Sequence, residues 1–377
     1  MFKCDACDTE LSTICYKPSN SAYDIDVYQC PRCSLVQSIK MIDNPKKNKT
    51  VSCDADWGNV RHGKSLRFDI LKTYFLNDLD FTRFKSCLDI GSNRGDFVNF
   101  AASLNPSMLI DAVEPDDSVI KNYNNGINIH NDRFENTNLS NKYDFIYSCQ
   151  TLEHATSAKK MLADSVKLLS NEGMMLIDVP SVEIIQDKNI IEEFFIDKHS
   201  FHFDATSLEY LLNISNLEII KKDYNKYNLS VLVRKRNNSR EYLSEVSDII
   251  PICKTYSKKR ESNRKLLKKL VSLKIDPLLK KQKVGIWGAS RTLDALIKYG
   301  DLDVEKVHVI VDSYLFDKIK VSGKIKIKEP SYLKQYEPSV VIVLARSAED
   351  EISSLAYKMG VRHIIKYSEI FEQILIQ

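Results

Sequence analysis

Residues 86–97 read SCLDIGSNRGDF, and the fold is decided there. Cys87 to Ile90 suit a buried strand and run straight into Gly91-Ser92-Asn93-Arg94-Gly95, after which DFVNFAASL spaces its apolar residues as a helix does. Strand, glycine turn and helix in that order let a ligand lie against bare backbone at a helix N-terminus. A second apolar run, MLIDAVEPD, ends in Glu114, about 20 residues beyond the turn, where an acid grips ribose hydroxyls. Many parallel α/β units carry a glycine turn, so the pairing of turn and acid is the more telling pattern.

The same plan continues downstream. A third short strand precedes DRFEN, YDFIYSCQTLEH gives a fourth, SAKKMLADSVKLL a helix, and Asn171-Glu172-Gly173 leads into a fifth strand, MMLIDVP. Farther on, KVGIWGASRTLDALIKYG repeats strand, turn (Gly285, Gly288) and helix; KVHVIVDSYLFDK brings a strand ending in Asp312, and PSVVIVLA another. This second, smaller sheet carries a turn that either cradles a phosphate or only packs. Between the two sheets, residues 236–282 are polar, charged and helical in period on either side of Pro251, which predicts a linker with a solvated surface.

At the other end, Cys4 and Cys7 in FKCDACDTE and Cys30 and Cys33 in YQCPRCSLVQ form two C-x2-C pairs, the spacing of a closed tetrahedral zinc site. Four reduced cysteines and a redox pair are the alternative readings. Cys15, Cys53, Cys87, Cys149 and Cys253 lack paired spacing and read as small core residues. The chain has 377 residues and a formal net charge of +3, room for several domains and too even a balance to point to nucleic acid or membrane. No run approaches the ~20 apolar residues of a membrane span, and the N-terminus has no signal-peptide pattern, so a cytoplasmic location is expected.

LDIGSNRG, VEPD, TLEH and NEGMMLIDVP resemble the motifs of class I S-adenosylmethionine-dependent methyltransferases. Asn93 in the turn is similar to the G-S-N-x-G pattern of nucleotide-sugar C-methyltransferases, which also have an N-terminal zinc-binding segment and a C-terminal Rossmann-like domain. The resemblance implies an α/β chain in four parts: a zinc-ribbon-like segment and connector (1–60), a Rossmann-like methyltransferase core (61–235), a helical linker (236–282) and a smaller Rossmann-like domain (283–377). It implies two cofactors, S-adenosylmethionine and a structural zinc ion on Cys4, Cys7, Cys30 and Cys33. Asp89, Gly91, Asn93, Gly95, Glu114, Asp132 and Gln150 would contact S-adenosylmethionine, with Asp132 at the adenine.

The implied reaction is methyl transfer to a nucleotide-linked keto-sugar or a related phosphorylated metabolite, on carbon ahead of oxygen. A drifted member that only binds or scaffolds is the alternative. Either chemistry wants a base near the methyl. The family's Y-H-E-H segment aligns with Ile196-Asp197-Lys198-His199, making His199 the first candidate base, His202 the second, and His154 of TLEH a group lining the junction. Lys198 stands where the family has glutamate, so the acidic partner of His199 is absent from this segment. Lys198, Gly288 and Arg291 are candidate contacts to a diphosphate, Arg291 replacing the family's lysine. Trp57, Arg61 and His62 lie where the family has substrate-facing tyrosines.

Overall fold

The computed structural model describes residues 2–19, 21–44, 65–117, 120, 123–187, 190–236, 247–289, 291–313, 315–316, 320–321 and 325–375. Trp57, Arg61, His62 and Cys53 lie outside them.

Strand Ser86–Ile90, buried along its whole length, lies inside a seven-stranded sheet. On one side lie Leu109–Val113 and then Ile127–His130; on the other lie Tyr143–Cys149, Leu169–Pro180, Asn228–Lys235 and Leu217–Tyr224. The first five of these in chain order run parallel, and Asn228–Lys235 is antiparallel to both its neighbours. The chain leaves Ser86–Ile90 for one edge and later returns to Tyr143–Cys149 on the opposite flank. That reversal opens a crevice at the carboxyl ends of these two strands, the place where open α/β sheets take ligands.

Helices close both faces. Asp96–Leu104 buries Phe97, Val98 and Ala101, and Phe97 stacks on Tyr147 with ring centroids 4.4 Å apart. Ala158–Leu168, capped by the Ser157 side chain on Lys160 N, buries Ala158, Met161 and Leu162. The larger ones, Phe97, Val98, Met161 and Leu162, each contribute roughly 1.5–3 kcal/mol by leaving water. Asn171 to Gly173, read as leading into the fifth strand, lie inside the continuous strand Leu169–Pro180 at a register irregularity.

The N-terminal segment is not a separate lobe. Ile14–Tyr16, Asp26–Gln29 and Val36–Ile39 form an antiparallel sheet whose fourth strand, Phe201–His202, comes from the core. Cys4, Leu11, Tyr28, Cys30 and Leu35 belong to the same buried cluster as Leu88, Ile177 and Leu212.

The linker also departs from expectation. Pro251 does not divide it: helix Ile250–Leu270 opens with this proline in its first turn, where a missing N–H costs nothing. The helix buries Cys253, Tyr256, Arg260, Asn263, Leu267 and Leu270, so it is an inter-domain strut rather than a solvated connector. Arg260 and Tyr256 both reach Glu193 of the core, as does Tyr16 of the N-terminal sheet. The C-terminal sheet is four-stranded and parallel, in the order Val309–Val311, Val284–Trp287, Val340–Val343, Ile364–Ile365.

Candidate active site

The crevice begins at the glycine turn. Gly91 N and Ser92 N donate to Val113 O at 2.8 and 3.1 Å, which hangs the turn on the second strand. Gly91 has φ +77°, and a Cβ there would stand 2.3 Å from Thr151 Oγ1; no other residue fits without displacing the start of the TLEH turn. Glu114 accepts from Asn93 N at 2.7 Å and Asp116 N at 3.0 Å, so the acid expected at a ribose also locks the turn. A cavity opens here, lined by Asp89, Gly91, Ser92 and Asn93, walled by Phe97 and Tyr147 and roofed by Phe68. Both amide atoms of Asn93 are buried without a hydrogen-bond partner. Buried polar groups in proteins are normally satisfied, so a donor and an acceptor left open on one amide mark a place for a polar ligand.

Two other expected contacts are occupied differently. Gln150, at φ +52°, gives its Nε2 to Asp178 Oδ2 (2.8 Å) and Asn228 Oδ1 (3.1 Å). Asp132 is exposed; its hydrogen bonds from Asn136 and then Arg133 N hold its carboxyl below the ordinary range.

At the carboxyl end of Tyr143–Cys149, a single turn, Leu152–His154, carries Glu153 and His154. The loop before Phe201–His202 folds onto it: Ser200 N donates to Glu153 O at 2.9 Å, and His154 Nδ1 pairs with Lys198 O at 3.1 Å. These bonds bring the imidazoles of His154 and His199 edge to face at 4.7 Å between centroids. Glu153 is 1% exposed, and one oxygen of its carboxylate and one nitrogen of each imidazole lie within 4.8 Å of one another. Burial holds His199 well below the usual histidine range, and the charges of His154, His202, Arg291 and Lys198 act in the same direction. His199 is thus a neutral imidazole at neutral pH.

His202 is in a different setting. Its Nε2 lies 2.7 Å from Ser38 Oγ and its ring packs against Phe194 and Phe195, with the His199 ring 6.3 Å away between centroids. Glu153 is the residue that sequence reasoning missed. The carboxylate that Lys198 does not supply in the loop reaches His199 from the TLEH turn, and the signal for it was an acid adjoining a histidine at a strand end.

Residues 62–222 match the family of methyltransferase domains. The core is a class I S-adenosylmethionine-dependent methyltransferase domain. No curated protein matches the chain. Among solved structures, the chain is similar to an S-adenosylmethionine-dependent methyltransferase from Clostridium acetobutylicum ATCC 824 (12% identity, 46% of this chain and 100% of that one, TM-score 0.34). It is also similar to one from Mesorhizobium loti (13%, 42% and 93%, TM-score 0.36), and to the PH0226 protein of Pyrococcus horikoshii OT3 (12%, 48% and 94%, TM-score 0.39). The match over residues 62–222, not these likenesses, carries the assignment.

The open Asn93 amide lies in the cavity at the turn, and Glu114 stands beside it holding Asn93 N. The four cysteines lie apart from that chemistry. Cys4 and Cys33 sulfurs are 3.5 Å apart, Cys7 and Cys30 sulfurs 3.4 Å, and all four fall within 4.8 Å of one another. Each pair sits on a matching knuckle, Asp8 N to Cys4 O and Ser34 N to Cys30 O. Hydrogen bonds from Cys33 and Cys4 pull the Cys30 thiol far down, while Cys30 pushes Cys33 and Cys4 up. Four such sulfurs could all be thiolates only around a cation.

The C-terminal turn is a joint. Ala289 N, which an anion would use, donates to Asp312 Oδ2 at 3.0 Å. Thr292 Oγ1 donates to Glu192 Oε1 at 2.8 Å, and Arg291 to Glu193 O at 2.8 Å. Gly288 is buried at φ +116°, whereas Arg291 is exposed and lies within Coulombic reach of His199.

Proposed function

We propose that the protein methylates a nucleotide-linked keto-sugar or a similar small phosphorylated metabolite, on carbon ahead of oxygen, with Glu153, His154 and His199 facing the acceptor. The observation that carries this is the meeting of a buried carboxylate and two imidazoles at the mouth of the methyltransferase crevice. Bound S-adenosylmethionine supplies an already activated methyl group, which leaves acceptor placement and proton removal to the protein. Asn93, Gly91, Gly95 and Glu114 hold the cofactor end, with Asp89 on the cavity wall. The Glu153–His154–His199 cluster takes up the acceptor's proton and steadies the charge that its loss leaves. Lys198 and Arg291 supply cations on the same side, as an acceptor carrying phosphates requires. Zinc on Cys4, Cys7, Cys30 and Cys33 has no open coordination position and holds the fold.

The test is incubation of nucleotide keto-sugars in heavy water with the intact protein. Carbon methylation predicts deuterium uptake beside the ketone, lowered at least 100-fold by His199→Ala, which breaks up the cluster that takes the proton. Methyl transfer without exchange would assign the oxygen instead. Binding of S-adenosylmethionine, followed by calorimetry, should survive His199→Ala.

A further inference from the structure

We propose that Glu153, His154 and His199 together bind a divalent first-row transition-metal ion, zinc or a close relative, in a second metal site whose open position takes an oxygen of the acceptor. The binding claim stands by itself; only the ion's role rests on the reading of this cluster as the acceptor centre.

Geometry makes the case. A backbone carbonyl can only accept, so the bond between His154 Nδ1 and Lys198 O at 3.1 Å places the proton of the neutral ring on Nδ1, which makes Nε2 the nitrogen that would bind an ion. That nitrogen is 3.8 Å from Glu153 Oε1. Two ligands at about 2.1 Å from a zinc ion stand roughly 3–4 Å apart, so this pair already has ligand spacing. His199 completes the set, with a ring nitrogen within 4.8 Å of the other two donors. The Ser200 to Glu153 backbone bond fixes the two segments against each other, so the three donors are held by the fold rather than by chance rotamers.

The donor set selects the ion. Two imidazoles and one carboxylate suit zinc, cobalt, iron or manganese, whereas magnesium and calcium prefer oxygen throughout. Three protein ligands leave a fourth position open, in contrast to the closed tetrathiolate of the cysteines. Glu153 is buried while His154 and His199 keep partly exposed edges, so the open side faces the crevice mouth. An ion there would carry the charge left on an acceptor oxygen, and with the His199 lone pair on the ion the acceptor's proton would pass to the second oxygen of the Glu153 carboxylate rather than to His199. Lys198 and Arg291 oppose a bare cation by repulsion, which makes this the weaker of the two metal sites and the one emptied first by dialysis.

Cobalt(II) is the probe, added to full-length protein whose cysteine site is loaded with zinc. We expect one further cobalt per chain, with the visible bands of a nitrogen and oxygen environment and without thiolate charge transfer. Glu153→Gln, His154→Ala and His199→Ala should each weaken its binding at least 10-fold, while the cysteine-bound zinc stays in place. Unchanged affinity of these variants for S-adenosylmethionine shows that they are folded. No cobalt beyond the cysteine site, or cobalt binding indifferent to all three substitutions, overturns the proposal. Absence of cobalt binding with deuterium exchange intact removes the ion and keeps the methyltransferase reading; cobalt binding without turnover on any nucleotide sugar does the reverse.

Discussion

His202 and His199 are three positions apart yet differ in what burial does with them. His202 is 2% exposed, and its Nδ1 has no hydrogen-bond partner. Burial alone holds its pKa down to about 3, against an ordinary 6.5. The unfolded chain therefore takes up a proton as the pH falls through about 6.5, while the folded one stays neutral almost to 3. The contribution to stability is complete above 6.5 and is lost as the pH drops across that interval. The slope is about 1.4 kcal/mol per pH unit, so between pH 6.5 and 5 the folded state should lose about 2 kcal/mol relative to a His202→Asn variant. Urea unfolding of the two proteins at several pH values checks this, and parallel stability curves would refute it. Residues such as Gly91, Gly95 and Glu114 are legible in the sequence because their meaning lies in local spacing. Glu153 is not, because its partner arrives from a loop 44 residues away along the His154 to Lys198 bond.

Among the elements, helix Ser65–Tyr74 shows how the crevice is kept in shape. Its Arg67 grips Asp178 at the end of the fifth strand, with Nε at 3.0 Å from Oδ2 and a second bond to Oδ1. Asp178 is 0% exposed and also accepts from Ser230 Oγ and Gln150 Nε2 at 2.7 and 2.8 Å. Phe68, the next residue of the helix, lines the cavity at the glycine turn. Removing the guanidinium leaves a buried charge, and Arg67→Ala should cost about 3–5 kcal/mol of stability. Arg67→Ala combined with Asp178→Asn should recover part of that loss, because the uncompensated charge is gone. Denaturation midpoints of the two variants decide it; equal midpoints would mean that Asp178 draws its stability from the strand end rather than from the helix. Strands and amphipathic helices of the core follow apolar periodicity and are legible. The pairing of Phe201–His202 with Val36–Ile39 has no local signal, since two residues make a strand only where a partner edge waits for them.

For the molecule as a whole, the cysteine ribbon, the loop over the crevice and the C-terminal domain form one connected structure. Cys30 and Cys33 adjoin Val36–Ile39; that strand pairs with Phe201–His202, and His199 stands just before it. Ser38 N donates to Ser200 O at 2.9 Å, extending the connection to the residue next to His199. On the far side, Glu193 gathers Tyr16, Tyr256 and Arg260, while Glu192 takes Thr292. A sequence reading that treats residues 1–60 as an independent clasp predicts that chelation disturbs only that segment. The shared strand predicts something else: loss of the ion should raise amide hydrogen exchange in Val36–Ile39 and Phe201–His202 together. Methyl transfer should fall with it, because the loop carrying Lys198 and His199 loses its anchor. Affinity for S-adenosylmethionine should change less, since Gly91 and Asn93 are held by Val113 and Glu114 within the sheet. Exchange mass spectrometry of the native protein, before and after chelation and with Cys30→Ser as a second route to the same state, measures this directly. Faster exchange confined to residues 2–35, with turnover preserved, would show that the ribbon folds on its own and that the loop needs no support from it.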